Sequence, residues 1–284
     1  MKTRQLGDIS VSAIGMGAMP LTTDKRPDER QAIETVHAAL NAGVTLFDTA
    51  DAYSPSDQPM GRNEEVLAKA MSSYGKPTDI VVATKGGHTR DGGDWGLNGR
   101  PEYLRSACEA SLRRLGVDAI DLYQHHRPDP DVPYEETMGG LKALYDDGLV
   151  KRLGLSNANP DQIRQAHEIL GDALVSVQNQ YSPKFRSSEP EIAVCDDLGL
   201  AFLPWSPLGG MQQAKDLGSK FDVFNEVAEE HGVSAQQVCL AWELGQSPLV
   251  IPIPGASRPE SINDSVQAAD LELSDEELKR LSAA

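Results

Sequence analysis

A short apolar run, an amphipathic helical stretch and a glycine recur in order along the chain, and this repeat constrains the fold more than any other feature. Residues 28–41 carry Ile33, Val36 and Leu40 at helical spacing, Gly43 follows, and Val44-Thr45-Leu46-Phe47 comes next. The order returns with Leu104, Cys108, Leu112 and Leu115 ahead of Gly116, and with Met138, Leu141, Leu144 and Tyr145 ahead of Gly148. Asn159-Pro160 reads as a helix cap with proline in the first turn, opening a stretch that runs to Leu170 before Gly171 and Leu174-Val175-Ser176-Val177. Glycines 43, 75, 116, 148, 171 and 199 stand 23 to 41 residues apart, about one strand-helix unit each, with no linker between them. Apolar runs fall near residues 12–16, 44–47, 80–83, 119–123, 149–155, 174–177, 200–203 and 249–253, and eight is the number that closes a parallel (β/α)8 barrel. The 284 residues are therefore expected to form a single α/β domain, residues 1–284, although a doubly wound open sheet obeys the same alternation. Residues 4–11 read as a β-hairpin turning at Gly7-Asp8 that caps the bottom of the barrel.

Composition narrows the partners. With 26 Lys and Arg against 43 Asp and Glu, the formal charge is -17. Clustered cations are what non-specific nucleic-acid affinity requires, so neither nucleic acid nor an anionic membrane is an expected partner. One small anion in one pocket stays compatible, because a few local cations and backbone N–H groups decide such a site. Cys108, Cys195 and Cys239 are odd in number and widely spaced, which points to buried free thiols rather than disulfides or a thiolate metal site. Met1–Gly7 lacks an apolar signal core and no run approaches a membrane span, so a cytoplasmic location is expected. Oligomeric state leaves no trace in the sequence.

In a barrel of this kind the reactive groups sit where the strands end. The ends read Asp48, Lys85, His125-His126, Ser156-Asn157, Gln178 and Trp205-Ser206, with Gly255-Ala256-Ser257-Arg258 after the last run. Taken singly each suits an ordinary rim, cap or loop, but together they converge on one mouth. No GxSxG, GxxxxGK[ST] or HExxH pattern is present, and Gly15-Met16-Gly17 lacks the third glycine of a Rossmann fingerprint. Adjacent strand residues point to opposite faces, so only one of His125 and His126 can look into the mouth, and no metal is expected. Asp48, Tyr53, Lys85 and His126 together make a sensible acid catalyst. A nearby Lys85 ammonium would favour the Tyr53 phenolate and lower its pKa, Asp48 would orient Lys85, and His126 would donate to a carbonyl oxygen. Lys85 could alternatively serve as a Schiff-base nucleophile in a barrel hydrolase or aldolase.

Over nearly its whole length the chain resembles the aldo-keto reductases. The strings that carry the likeness are Leu46-Phe47-Asp48-Thr49-Ala50-Asp51-Ala52-Tyr53, Thr84-Lys85, Asp121-Leu122-Tyr123-Gln124-His125-His126, Gly154-Leu155-Ser156-Asn157, Trp205-Ser206-Pro207-Leu208-Gly209-Gly210 and Ile253-Pro254-Gly255-Ala256-Ser257-Arg258-Pro259-Glu260. The resemblance implies a TIM barrel that binds an extended nicotinamide dinucleotide without a Rossmann fold and reduces aldehydes or ketones by hydride transfer. It implies Tyr53 as proton donor with Asp48, Lys85 and His126 completing a tetrad. For the cofactor it implies Gly17, Ala18, Met19 and Asp48 at the mouth, and Ser156, Asn157 and Gln178 on the nicotinamide carboxamide. On the same resemblance Trp205 stands in place of the usual stacking tyrosine, Ser206-Pro207-Leu208-Gly209 is expected to wrap the pyrophosphate, and Gly255, Ser257 and Arg258 are expected to hold the adenosine end. A guanidinium there favours NADPH, with NADH still usable, since Ser261 and Ser265 occupy positions where many members carry Arg and Asn. The substrate is expected to be a small-molecule carbonyl, and Trp95, Tyr181 and Phe185 are expected to line an aromatic pocket with Tyr53 and His126. A cofactor-binding redox-sensing subunit of the same fold, with little turnover, is the alternative that the resemblance also allows.

Overall fold

The structure is a computed structural model that describes residues 1–23, 26–75, 77–91, 93–209 and 222–284. The chain enters through two antiparallel strands, β1 (Thr3–Leu6) and β2 (Ile9–Ser12), with Leu6 opposite Ile9 across the Gly7-Asp8 turn. Gly7 has φ +60°, and a Cβ placed there would run into the side chain of Val175. The hairpin can therefore press its turn against the sheet only because this residue lacks a side chain. Leu6 and Val11 join Leu46, Val81, Ala83, Leu122, Val175, Ala201, Leu203, Ile251 and Ile253 in one buried apolar cluster, the interior of the barrel stoppered at its lower end.

Seven parallel strands follow in the order of their pairing: β3 (Met16–Gly17), β4 (Leu46–Asp48), β5 (Val81–Gly86), β8 (Leu122–His125), β9 (Leu153–Ser156), β10 (Leu174–Gln178) and β11 (Ala201–Phe202). An antiparallel pair, β6 (His88–Asp91) and β7 (Asp94–Leu97), is inserted directly after β5. The segment 86–100, which reads as a glycine-rich loop, is thus largely a hairpin, and Gly92 within it lies outside the described residues. Strand ends lie later than the apolar runs suggest. Backbone pairing continues past the apolar runs through Lys85-Gly86 and Gln124-His125, which agrees with the polar strand ends read at Lys85 and His125.

The eighth apolar run closes the ring without forming a regular strand. Ile251 N–H donates to the Phe202 carbonyl at 2.8 Å on one side, while Gly15 and Gly17 donate to the carbonyls of Pro252 and Pro254 at 2.9 and 3.0 Å on the other. Both prolines fall on the side facing β3, where their missing N–H reduces the ladder to one-way bonds.

Helices pack outside the sheet through two further apolar clusters, and their ends follow the sequence signals. Asp28 caps Glu29–Asn41 by accepting from the Gln31 N–H at 2.8 Å. Asn159 and Gln162 form a reciprocal capping box at the start of Pro160–Leu170. Cys108, Cys195 and Cys239 are free and buried in this layer, and burial pushes the Cys108 thiol up to about 12. Among the described residues no helix is long and apolar enough to cross a membrane.

Substituting Gly7→Ala should lower the free energy of unfolding by about 1–3 kcal/mol, because it adds both a left-handed strain and an overlap with Val175. A fall in the urea midpoint at unchanged slope would register it. An unchanged midpoint would mean that the hairpin turn does not seal the barrel.

Candidate active site

Lys85, near the end of β5, is wholly buried. Its Nζ donates to Asp48 Oδ1 and Oδ2 at 2.8 and 2.7 Å, to the Thr49 carbonyl at 2.9 Å and to Tyr53 Oη at 3.3 Å. An ammonium has three N–H donors, and here they meet a carboxylate, a carbonyl and a phenol. Asp48, the last residue of β4, accepts in addition from Gln124 Nε2 at 3.1 Å and Gln178 Nε2 at 2.8 Å. Glycine at position 154 makes room for this: a Cβ there would stand 2.6 Å from Ser176 Oγ and 2.9 Å from Gln124 Cγ.

A turn folds Tyr53 back over the strand end. Thr49 N–H donates to Ala83 O at 2.8 Å, Asp51 N–H to Lys85 O at 3.2 Å, and Thr22 Oγ1 to Tyr53 O at 2.8 Å. Asn63 ties the turn to the segment that follows β3, accepting from Thr49 Oγ1 and donating to Ala18 O at 2.8 Å. His126 meets Tyr53 edge to face with centroids 5.5 Å apart, and its backbone N–H donates to Gly86 O at 2.9 Å.

Burial governs the protonation states. It draws Lys85 down, but the Asp48 carboxylate and the Tyr53 oxygen outweigh it, and the ammonium ends above its ordinary value. Burial raises the Tyr53 phenol, and the opposing pull of Lys85 does not cancel it. The expectation that Lys85 lowers this tyrosine is therefore reversed in the net direction, because a desolvated phenolate costs more than one cation returns. Burial, then the Lys85 charge, hold His126 well below the usual imidazole range, so it is neutral near pH 7. Its Nδ1 has no hydrogen-bond partner among the described residues.

Tyr53, His126 and Asp48 border a cavity of about 430 Å³ at the C-terminal mouth of the barrel, and Lys85 lies behind them. Gly17, Met19, Ser156, Asn157, Gln178, Trp205, Ser206, Pro207, Leu208 and Gly255 line the same cavity. Ala18 and Gly209 adjoin it in sequence without lining it, and Gly210 lies outside the described residues. Asn157 and Ser206 adopt φ +58° and +54°, a left-handed geometry that is uncommon for non-glycine residues and that asparagine tolerates best. Gln178 donates its amide N–H to Asp48, which fixes its orientation. Ser257 and Arg258 stand outside the cavity at the start of helix Pro259–Val266, where Arg258 Nε donates to Ser261 Oγ at 3.0 Å.

Of the expected aromatic lining, Trp95 reaches the cavity from the β6–β7 hairpin. Its ring meets His88, which meets His126 edge-on at 4.3 Å between centroids, and the Arg90 guanidinium covers its other side at 4.2 Å. Tyr181 does not line the cavity: it is fully buried and stacks on Trp242 at 5.4 Å and 11°, one flat ring filling the sheet-helix layer. Phe185 lines a neighbouring cavity instead. Sequence reasoning passed over Pro20, His88, Arg127 and Ile253, all on the cavity wall. Arg127 follows His126 directly at a strand end, a signal that was present in the sequence; His88 became part of the wall only through the hairpin.

The Aldo/keto reductase family model matches residues 13–284. A Glycine max protein named probable aldo-keto reductase 1 is 36% identical over 303 residues, covering 96% of this chain and 85% of the relative. An uncharacterized oxidoreductase of Schizosaccharomyces pombe is 35% identical over 284 residues, covering 98% and 88%. Among solved structures, a thermostable aldo-keto reductase in complex with the inhibitor epalrestat superposes with a TM-score of 0.84 at 27% identity, over 100% of this chain and 99% of that one. A glycerol dehydrogenase from Gluconobacter oxydans gives 0.85 at 27% identity, over 99% and 94%.

Removing one member of the buried ion pair should be costly. Lys85→Met is expected to destabilise the fold by about 3–5 kcal/mol, since it leaves the Asp48 charge buried and unpaired. Lys85→Met with Asp48→Asn should be more stable than Lys85→Met alone. Equal urea midpoints for the single and double variants would refute the coupling.

Proposed function

This chain belongs to the aldo/keto reductase family, and from that premise we propose that it is an NADPH-dependent oxidoreductase that reduces small-molecule aldehydes and ketones to alcohols. The observation that carries the reading is the Lys85 ammonium, bound bidentately by Asp48 and 3.3 Å from Tyr53 Oη at the edge of the cavity.

The residues present fit a nicotinamide dinucleotide. Trp205 offers a flat ring at the cavity wall, and its Nε1 is buried without a partner among the described residues. Gly17 lines the cavity and lets β3 close against the last run, where a Cβ would stand 2.9 Å from Ile253 O. Ser156, Asn157 and Gln178 present the hydroxyl and amides that a carboxamide needs. Ser206–Gly209 would hold the pyrophosphate, and Ser257 and Arg258 the ribose phosphate. When bound, the cofactor supplies the hydride.

The chain's own groups would handle the proton. Tyr53, raised by burial, is a phenol at neutral pH and can donate to the carbonyl oxygen as negative charge develops there. The Lys85 ammonium then stabilises the phenolate left behind, and Asp48 keeps that ammonium charged and aimed. His126, neutral, supplies an N–H that positions the carbonyl oxygen between itself and Tyr53. A lysine held protonated by a carboxylate is a poor nucleophile, which counts against a Schiff-base reaction at Lys85. The relatives bear the names of oxidoreductases, which favours turnover over a purely regulatory role.

Tyr53→Phe should leave NADPH binding nearly intact and lower reduction of a model aldehyde on the order of 100-fold or more, as loss of a general acid does. Retained turnover at 340 nm would remove Tyr53 from the mechanism. Arg258→Ala should raise the KM for NADPH far more than that for NADH, because the guanidinium meets a phosphate that only NADPH carries. Equal changes for both cofactors would sink the assignment.

A further inference from the structure

One carboxylate, Asp48, and one guanidinium, Arg127, line the catalytic cavity among the described residues. Asp48 is neutralised by Lys85. His88 and His126 share the wall, and burial keeps both below the ordinary imidazole value. The guanidinium of Arg127 is thus the charge that the cavity leaves unbalanced. It is exposed at the mouth, and its side chain makes no hydrogen bond or ion pair with any described residue. The nearest carboxylate in sequence, Asp129, is turned away and accepts from the Gly99 and Asp131 N–H groups at 2.8 and 3.0 Å.

Position adds to charge. Arg127 follows His126, so its Cα lies about 3.8 Å from that of a residue at the reacting centre. Arg127, Asn157 and Trp205 also line a second cavity of about 340 Å³, so these residues are where the two spaces meet. The second cavity is walled mostly by polar side chains, and buried atoms of three of its residues, Asn179 Oδ1, Glu191 Oε2 and Trp205 Nε1, have no hydrogen-bond partner among the described residues. A hydrated or multiply hydrogen-bonding end of a substrate has room there, while its carbonyl stays between Tyr53 and His126.

We infer that Arg127 is a specificity-determining residue that binds an oxyanion carried by the substrate, so that the preferred carbonyl compounds bear a carboxylate or phosphate a short carbon chain away from the carbonyl. The planar, always-charged guanidinium matches both groups bidentately. In a chain of net charge -17 such selectivity must be local, since the long-range field repels anions. The inference rests on the proposed carbonyl reduction and names its substrate class. The same guanidinium could instead meet a phosphate of the dinucleotide, and the test separates the two sources.

Succinic semialdehyde and butanal, aldehydes with equal carbon chains that differ in the carboxylate, are compared with NADPH in the wild type, Arg127→Met and Arg127→Lys. Arg127→Met should lower kcat/KM for succinic semialdehyde by about 10-fold or more, the scale of a lost charge-assisted hydrogen bond, and that for butanal by no more than about 2-fold. Arg127→Lys should recover part of the preference. Equal losses for the two aldehydes, or no loss for either, would overturn the inference, as would a rise in the KM for NADPH alone. Quenching of tryptophan fluorescence by succinate without cofactor gives a readout independent of turnover, because Trp95 and Trp205 both face the cavity. Its midpoint should weaken about 10-fold in Arg127→Met. Should neither aldehyde be reduced, the proposed reaction fails, and an unchanged succinate midpoint would then reject the anion site as well.

Discussion

The Lys85–Asp48 ion pair is the constraint around which the mouth of the barrel is arranged. Both charges are removed from water, and such a pair is tolerable only when its remaining donors and acceptors are satisfied. Four strands of the barrel and one turn contribute to that. Asp48 ends β4, Lys85 lies on β5, Gln124 sits opposite Lys85 on β8, and Gln178 reaches across from β10 to the same carboxylate. Thr49 supplies a carbonyl from the turn that also delivers Tyr53. The registers that align these residues are those that close the sheet, so the barrel and the catalytic charge are specified by the same hydrogen bonds.

Burial then sets the chemistry. One environment keeps a phenol protonated, an ammonium charged and an imidazole neutral. The three states differ because only Lys85 has a full counter-charge in contact, while Tyr53 and His126 face desolvation with a cation nearby. A proton donor, an electrostatic stabiliser and a neutral hydrogen-bond donor follow from that single difference. The ring series from Tyr53 through His126 and His88 to Trp95 leads from this buried centre out to the exposed hairpin, which makes β6–β7 a wall of the site as well as an insertion in the fold.

How much of this could be read beforehand depends on whether the information is local. Helix caps at Asp28 and Asn159 act within one turn, and both could be read from residue type and spacing. The polar strand ends were visible for the same reason: a strand that stops being apolar has reached a rim. Tyr181 defeated the reading because an aromatic residue shortly after a strand end looks the same whether it turns to the mouth or to the helix layer. Its partner, Trp242, lies 61 residues further along the chain. The direction of the Tyr53 shift was lost likewise, since proximity to Lys85 follows from pattern whereas the cost of desolvation follows from packing. Prolines 252 and 254 were present in the eighth run, but only the closed ring shows that both missing donors face β3.

The sequence by itself determined the alternation of strand and helix, the hairpin at the entrance and the residue types gathered at the strand ends, because periodicity, turn chemistry and capping are properties of short segments. Tertiary structure decided which of those residues touch, which lose their water, and that Arg127 stands where two cavities meet with no ion pair among the described residues. Contact and desolvation depend on elements far apart in the chain, and closing the barrel is the step that brings them together.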